Sequence, residues 1–169
     1  MTSGLLLGEL QFNNKIQPIC VPRSCADDCT AGANAIISGW GTTAADGTKP
    51  SQALQKATVP IVTNTVCQRG FTANNITRRV TLRTVCVGYS DGSVDPCRGD
   101  DGGPLSCKTS SNSRYFLSGI KSFVDKCGIP GLYSPYTRYY QWKNIEKSVR
   151  PVILSLFQDL VKWSAGSTE

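Results

Sequence analysis

Histidine is absent from all 169 residues. Its absence removes the side chain best suited to moving protons near neutral pH and the commonest metal-binding ring. No Cys-x-x-Cys pair occurs either, so a zinc site of ordinary spacing has no basis here, and no metal or other cofactor is expected. Long apolar runs are missing: Leu5-Leu6-Leu7 is too short for the core of a signal peptide or for a membrane span. Runs of like charge are missing as well. There are 18 basic and 12 acidic side chains, net +6, and the basic ones are scattered, which suits a soluble surface and gives no stripe for nucleic acid. The tightest basic group is Arg78, Arg79 and Arg83. A solvated strand face accounts for it, with a patch for a sulfated glycan or other anionic partner as the alternative. No internal repeat or low-complexity segment is evident.

Cysteine, glycine and proline are well represented. The eight cysteines (Cys20, Cys25, Cys29, Cys67, Cys86, Cys97, Cys107 and Cys127) form an even set. Without histidine, disulfides are the better reading, and disulfides imply an oxidising compartment and a secreted protein. Asn75-Ile76-Thr77 is an N-glycosylation sequon, consistent with secretion. No export signal follows Met1, which points to a missing N-terminus. Sixteen glycines and nine prolines set among short β-branched runs indicate an all-β fold. The length fits one domain, or one domain plus tails.

Asp95 to Cys107 reads Asp-Pro-Cys-Arg-Gly-Asp-Asp-Gly-Gly-Pro-Leu-Ser-Cys. A glycine-rich turn closed by disulfides would explain the glycines but not the whole string. The string resembles the nucleophile loop of trypsin-like (chymotrypsin-family) serine peptidases, Asp-x-Cys-x-Gly-Asp-Ser-Gly-Gly-Pro-Leu-x-Cys. Residues 10–22 resemble the connector between that family's two barrels, Ala35 to Thr42 its Cys-x-x-x-Gly-Trp-Gly strand and turn, and Tyr136-Thr137-Arg138 its final strand. The resemblance covers roughly residues 3–147 and implies the second, six-stranded antiparallel barrel of that fold, followed by a C-terminal helix, with the first barrel largely missing. On this reading residues 1–22 are a remnant of the first barrel and the connector, 23–150 the barrel, and 151–169 an extension and tail. In the extension Ile153, Leu156, Phe157, Leu160 and Trp163 recur at helical spacing after Pro151, so an amphipathic helix is expected there. Strands are expected over Leu54 to Val62, Val80 to Val87 and Tyr115 to Phe123, and a short helical segment over Asn64 to Phe71.

The same resemblance assigns roles residue by residue. Asp101 stands at the nucleophile position in place of serine. A carboxylate there has no hydroxyl proton to give up, and its charge sits where a tetrahedral intermediate would develop its own. The orienting carboxylate has no candidate near Ser3 to Leu7, so no triad member is intact. Gly99 stands at the oxyanion-hole position. Asp100 matches the aspartate that pairs with a new amino terminus after zymogen cleavage, and this sequence offers no such terminus. Asp95 matches the specificity aspartate for Lys or Arg side chains. The substrate-pocket walls would be Ser122, Phe123, Val124 and Ser134, and Val124 brings a branched side chain where the family has glycine. Asp95 then reads as a hydrogen-bonded structural residue, with a residual cation site as the alternative. Family positions imply disulfides Cys67–Cys86 and Cys97–Cys127. The family partner of Cys107 is replaced by Ala35, so Cys29 is expected to bridge to Cys107, with Cys25 the next candidate. Cys20 is left to pair with Cys25 or to stay reactive.

Three readings follow. The first is a secreted, catalytically inactive pseudo-peptidase that works by binding a protein partner (a peptidase, an inhibitor or a substrate, as decoy or regulator) in a proteolytic pathway. The second is a truncated piece of a two-barrel homologue without independent function, its inter-barrel face free to self-associate. The third is a serine endopeptidase completed by another chain.

Overall fold

The computed structural model describes residues 11–22, 29–108, 114–122 and 126–140. Six strands, β1 (Asn34–Gly39), β2 (Gln55–Val62), β3 (Thr84–Val87), β4 (Pro104–Lys108), β5 (Tyr115–Lys121) and β6 (Ser134–Arg138), close into an antiparallel barrel in the order β1-β2-β3-β6-β5-β4. One helix, α1 (Asn64–Ala73), lies between β2 and β3. The fold is thus all-β and six-stranded. The C-terminal helix and the extension at 151–169 lie outside the described residues.

Side chains two apart along a strand share a face, and the sequence uses that period to fill the barrel. Ala35 and Ile37 of β1, Val59 and Ile61 of β2, and Val85 and Val87 of β3 join Leu105, Cys107, Phe116 and Tyr136 in one buried cluster. Closure leaves no open sheet edge, so every strand is hydrogen-bonded on both sides. One irregularity occurs. Leu105 pairs with Gly119 but Ser106 with Leu117, so Ser118 is an extra residue in β5, and its carbonyl accepts from the Tyr139 amide at 2.8 Å.

Two smaller clusters cover the outside. Ile19 packs with Leu117, Ile120 and Tyr139, and the Leu117 amide donates to the Cys20 carbonyl at 2.9 Å, so the connector runs against β5. On another face α1 sets Cys67 and Phe71 against Cys86, Leu132 and Tyr133. Thr63 caps the helix by accepting from the Val66 amide at 3.2 Å. Beyond its end Asn75 takes a left-handed φ of 57°, a conformation that asparagine tolerates better than most residues. Disulfides join Cys29 to Cys107, Cys67 to Cys86 and Cys97 to Cys127, while Cys20 is exposed and carries none.

The segment expected as a strand from Val80 is strand only from Thr84. At Val80 and Thr81 the chain bonds to α1, and at Arg83 it reaches β6, the Arg83 carbonyl accepting from the Arg138 amide at 2.9 Å. The Gln68 amide oxygen accepts from the Val80 N–H at 2.8 Å, and the Asn64 side chain donates to the Thr81 carbonyl at 2.7 Å. Arg78, Arg79 and Arg83 therefore sit on a pinned loop, not on a strand face.

Gly70 tests how closely α1 packs. Alanine is the better helix former by about 1 kcal/mol, but a Cβ at residue 70 would stand 2.1 Å from the Gly131 carbonyl oxygen. Overpacking against rigid backbone costs roughly 1–3 kcal/mol or more. Gly70→Ala should therefore lower the midpoint of urea unfolding. A raised midpoint would mean that the helix does not lie against the Gly131 turn.

Candidate functional site

The loop from Asp95 to Gly103 joins β3 to β4 at one end of the barrel and is strapped to its surroundings at several points. The Cys97–Cys127 disulfide holds one flank. The Thr42 amide donates to the Arg98 carbonyl at 2.9 Å, tying the loop to the turn after β1. On the other side the Gly102 amide donates to the Lys121 carbonyl (3.1 Å) and the Lys121 amide to the Gly103 carbonyl (2.8 Å). Gly99 and Gly102 adopt φ of 92° and 85°, which side chains with a Cβ rarely adopt, and so permit the tight path.

Asp100 is turned inward. Its carboxylate accepts the Gly41 N–H at 2.8 Å and the Cys97 N–H at 3.0 Å. The space it fills exists because residues 39 and 41 are glycines: a Cβ at Gly39 would stand 2.0 Å, and one at Gly41 2.5 Å, from carboxylate atoms of Asp100. Gly-Trp-Gly is thus a receptacle for the aspartate as well as a turn.

Asp101 points outward, its side chain 63% exposed, yet its nearest ionic partner is buried. Lys121 Nζ lies 3.7 Å from Asp101 Oδ1 although the lysine side chain is only 1% exposed. The ammonium also donates to the Ser122 carbonyl at 3.2 Å. Burial pushes the Lys121 pKa below the ordinary lysine value, and the carboxylates of Asp101, Asp95 and Asp100 pull it back part of the way. Asp95 accepts from the Ser134 hydroxyl and from the Gly128 N–H, the latter at 3.0 Å. Burial raises the Asp95 pKa, and these two hydrogen bonds and Lys121 oppose the rise. Behind them the Tyr136 phenol is held well above its usual pKa, first by burial and then by the fields of Asp100, Asp95 and Asp101.

Of the residues singled out in the sequence, Asp95, Gly99, Asp100, Asp101, Ser122 and Ser134 meet at this end of the barrel. Phe123 and Val124 lie outside the described residues. Asn75 stands apart, exposed in the turn after α1. Lys121 was not anticipated. The signal available was slight: a single charged residue closing the otherwise uncharged strand Tyr115–Lys121, immediately before Ser122. A cleft of about 260 Å³ opens beside the loop, lined by Gly39, Gly41, Thr42, Asp95 and Asp100 among others. The buried Thr42 hydroxyl has no partner there among the described residues. Two carboxylates and a hydroxyl suit a cationic group. Among the described residues no group of three or more histidines, cysteines or carboxylates is placed to hold a metal, and no helix is long and apolar enough to cross a membrane.

Comparison with known proteins places this geometry in context. The family model described as Trypsin matches residues 6–144. Trypsin-1 of Astacus astacus is 37% identical over 140 residues, covering 81% of this chain and 55% of that protein. The serine protease filzig of Drosophila melanogaster is 38% identical over 136 residues (79% of this chain, 8% of that protein). Coagulation factor XI of Bos taurus is 38% identical over 145 residues (84% and 22%). The chain thus spans about half the length of the crayfish protein and smaller shares of the other two.

The buried lysine makes a pH prediction. Because the folded pKa of Lys121 is depressed, the unfolded chain binds this proton more tightly, so folding stability gains as pH rises from the depressed value towards about 10.5. Lys121→Met removes that gain. The difference in unfolding free energy between variant and wild type, followed from neutral pH into this range, should shift in favour of wild type. Parallel curves would show that Lys121 is not held buried and charged.

Proposed function

The chain belongs to the trypsin family of serine peptidases, and from that membership we propose that it is a non-catalytic member that acts by binding. The observation that carries this reading is Asp101 at the position where the family motif has its nucleophilic serine. A carboxylate cannot surrender a hydroxyl proton to a base, and it repels the oxyanion that the site would have to stabilise. A histidine supplied from elsewhere would not repair this, because the defect lies in the nucleophile itself. Losing the nucleophile of such a triad costs on the order of 10⁶ in kcat.

Lys121 supports the same reading. Its ammonium sits against residue 101 and takes up the Ser122 carbonyl, so the polar groups of the loop already serve one another. Among the described residues the N–H groups of Gly99 and Asp101 have no hydrogen-bond acceptor, but the carboxylate beside them disfavours an anionic ligand. Asp95, bonded to Ser134 and Gly128, is a structural element of the pocket floor, and a peptide's cationic side chain would have to displace those bonds. The partner is a protein of a proteolytic pathway, met outside the cell. Three disulfides and the family membership are consistent with that compartment.

One observation favours a second reading. The chain spans about half of Trypsin-1, which supports the alternative of a truncated fragment of a two-barrel homologue without independent function; the intact mass of the natural protein decides this point. The catalytic question has its own test. Incubation with a fluorophosphonate probe should leave the intact mass unchanged and peptide substrates uncut. A covalent adduct within residues 95–107, or turnover abolished by Asp101→Ala, would overturn the proposal.

A further inference from the structure

The acidic residues of this chain are unevenly placed along the fold. From residue 47 to residue 90, through β2, α1 and most of the way to the candidate loop, there is no aspartate or glutamate, whereas Lys49, Lys56, Arg69, Arg78, Arg79 and Arg83 all occur there. Asp91, Asp95, Asp100 and Asp101 follow within a few residues at the loop. The three arginines between α1 and β3 are exposed, and neither Arg79 nor Arg83 has a carboxylate within ion-pair distance among the described residues.

The backbone beneath them is fixed from both sides. Gln68 receives the Val80 N–H and donates to the Arg78 carbonyl at 3.4 Å. Asn64 holds Thr81, and the Arg83 carbonyl accepts from the Arg138 amide at 2.9 Å. Arg78 and Arg79 line one shallow cavity of about 130 Å³ with Thr84, Pro135 and Thr137, so the loop is laid over the β3–β6 pair. Arg138, whose Nε donates to the Thr84 carbonyl, extends the same basic region along β6. A basic loop held in place in this way loses little conformational entropy when it takes a ligand.

We propose that the Arg78–Arg83 loop, with Arg138 beside it, is a docking surface for a linear sulfated polysaccharide. Guanidinium groups bind sulfate-like oxyanions through paired N–H donors, and several on one rigid loop match a ligand that repeats its charges along a chain. Nucleic acid fits less well. Residues 63–88 contain a single aromatic side chain, Phe71, and it is buried, so the loop itself carries no ring on which a base could stack. The disulfides also point to the space outside the cell, where sulfated polysaccharides are the abundant linear polyanions. This surface does not depend on the chemistry at Asp101, so its failure would leave the non-catalytic reading untouched.

The test is binding of the purified chain to heparin, with Arg79→Gln/Arg83→Gln compared against the charge-matched control Lys15→Gln/Lys126→Gln. The loop is pinned through backbone atoms and the side chains of Gln68 and Asn64, so the arginine variant should keep the wild-type unfolding midpoint. Should it not, Arg79→Lys/Arg83→Lys, which keeps the charge but loses the paired donors, serves in its place with a smaller expected loss. Affinity for heparin at physiological salt should fall roughly fivefold or more in the arginine variant and less than twofold in the control. Binding should also weaken steeply with added salt, and less steeply in the arginine variant. Equal losses in the two variants would reduce the effect to net charge and overturn the proposal. Single-stranded DNA of matched length binding as tightly as heparin would overturn it in favour of nucleic acid.

Discussion

A carboxylate enclosed by backbone holds the functional end of this barrel together. Asp100 fills the room left by Gly39 and Gly41 and accepts two main-chain N–H groups, one from each side of the space it closes. Hydrogen bonds to an ionised acceptor are stronger than neutral ones, and breaking them would leave the charge half-buried and unserved. The turn after β1, the loop before β4 and the disulfide at Cys97 are therefore settled by the same contact. Together with the Thr42–Arg98 bond and the pair of bonds to Lys121, this contact sets the position of Asp101 and of the amides of Gly99 and Asp101.

Around that contact the protein has gathered charges that a small barrel could have avoided. Lys121 is buried, Asp95 is largely buried, and both are displaced from their ordinary titration in the directions that desolvation dictates. Desolvation of such groups commonly costs more than their mutual attraction returns, so the cluster is a poor device for stability alone. It does define the site electrostatically. Three carboxylates outweigh one ammonium, and the Tyr136 phenol, raised first by burial, is raised further by all three. A site with that field favours cations at the cleft over anions.

Much of the scaffold was legible in the sequence because it rests on local rules. The alternation in Leu54 to Val62 and the helical segment at Asn64 emerge as β2 and α1, each within a residue or two of the expected span. The stretch from Val80 to Arg83 misled for the opposite reason. Its β-branched residues have strand propensity, but side chains of α1 seventeen and twelve positions earlier claim its backbone groups, and propensity yields to tertiary hydrogen bonding. Lys121 was invisible on the same grounds. Its burial depends on where β5 ends relative to a loop nearly twenty residues before it, and nothing in the local pattern of Tyr115–Lys121 encodes that distance.

The departures from expectation share a direction. Positions whose identity is settled by neighbours in sequence, such as the glycines of the loop and the alternating core residues, could be read one at a time. Positions settled by the juxtaposition of β5, the loop and the turn after β1 could not, and these carry the electrostatics. A motif therefore conveys the shape of this loop more faithfully than its chemistry. Replacing one hydroxyl by a carboxylate leaves the turn, the strap hydrogen bonds and the Gly39–Gly41 receptacle intact, because none of them involves the side chain of residue 101. The side chain of residue 101 is tied instead to Lys121 of β5, so the shape of the loop and the chemistry of that one position rest on separate contacts.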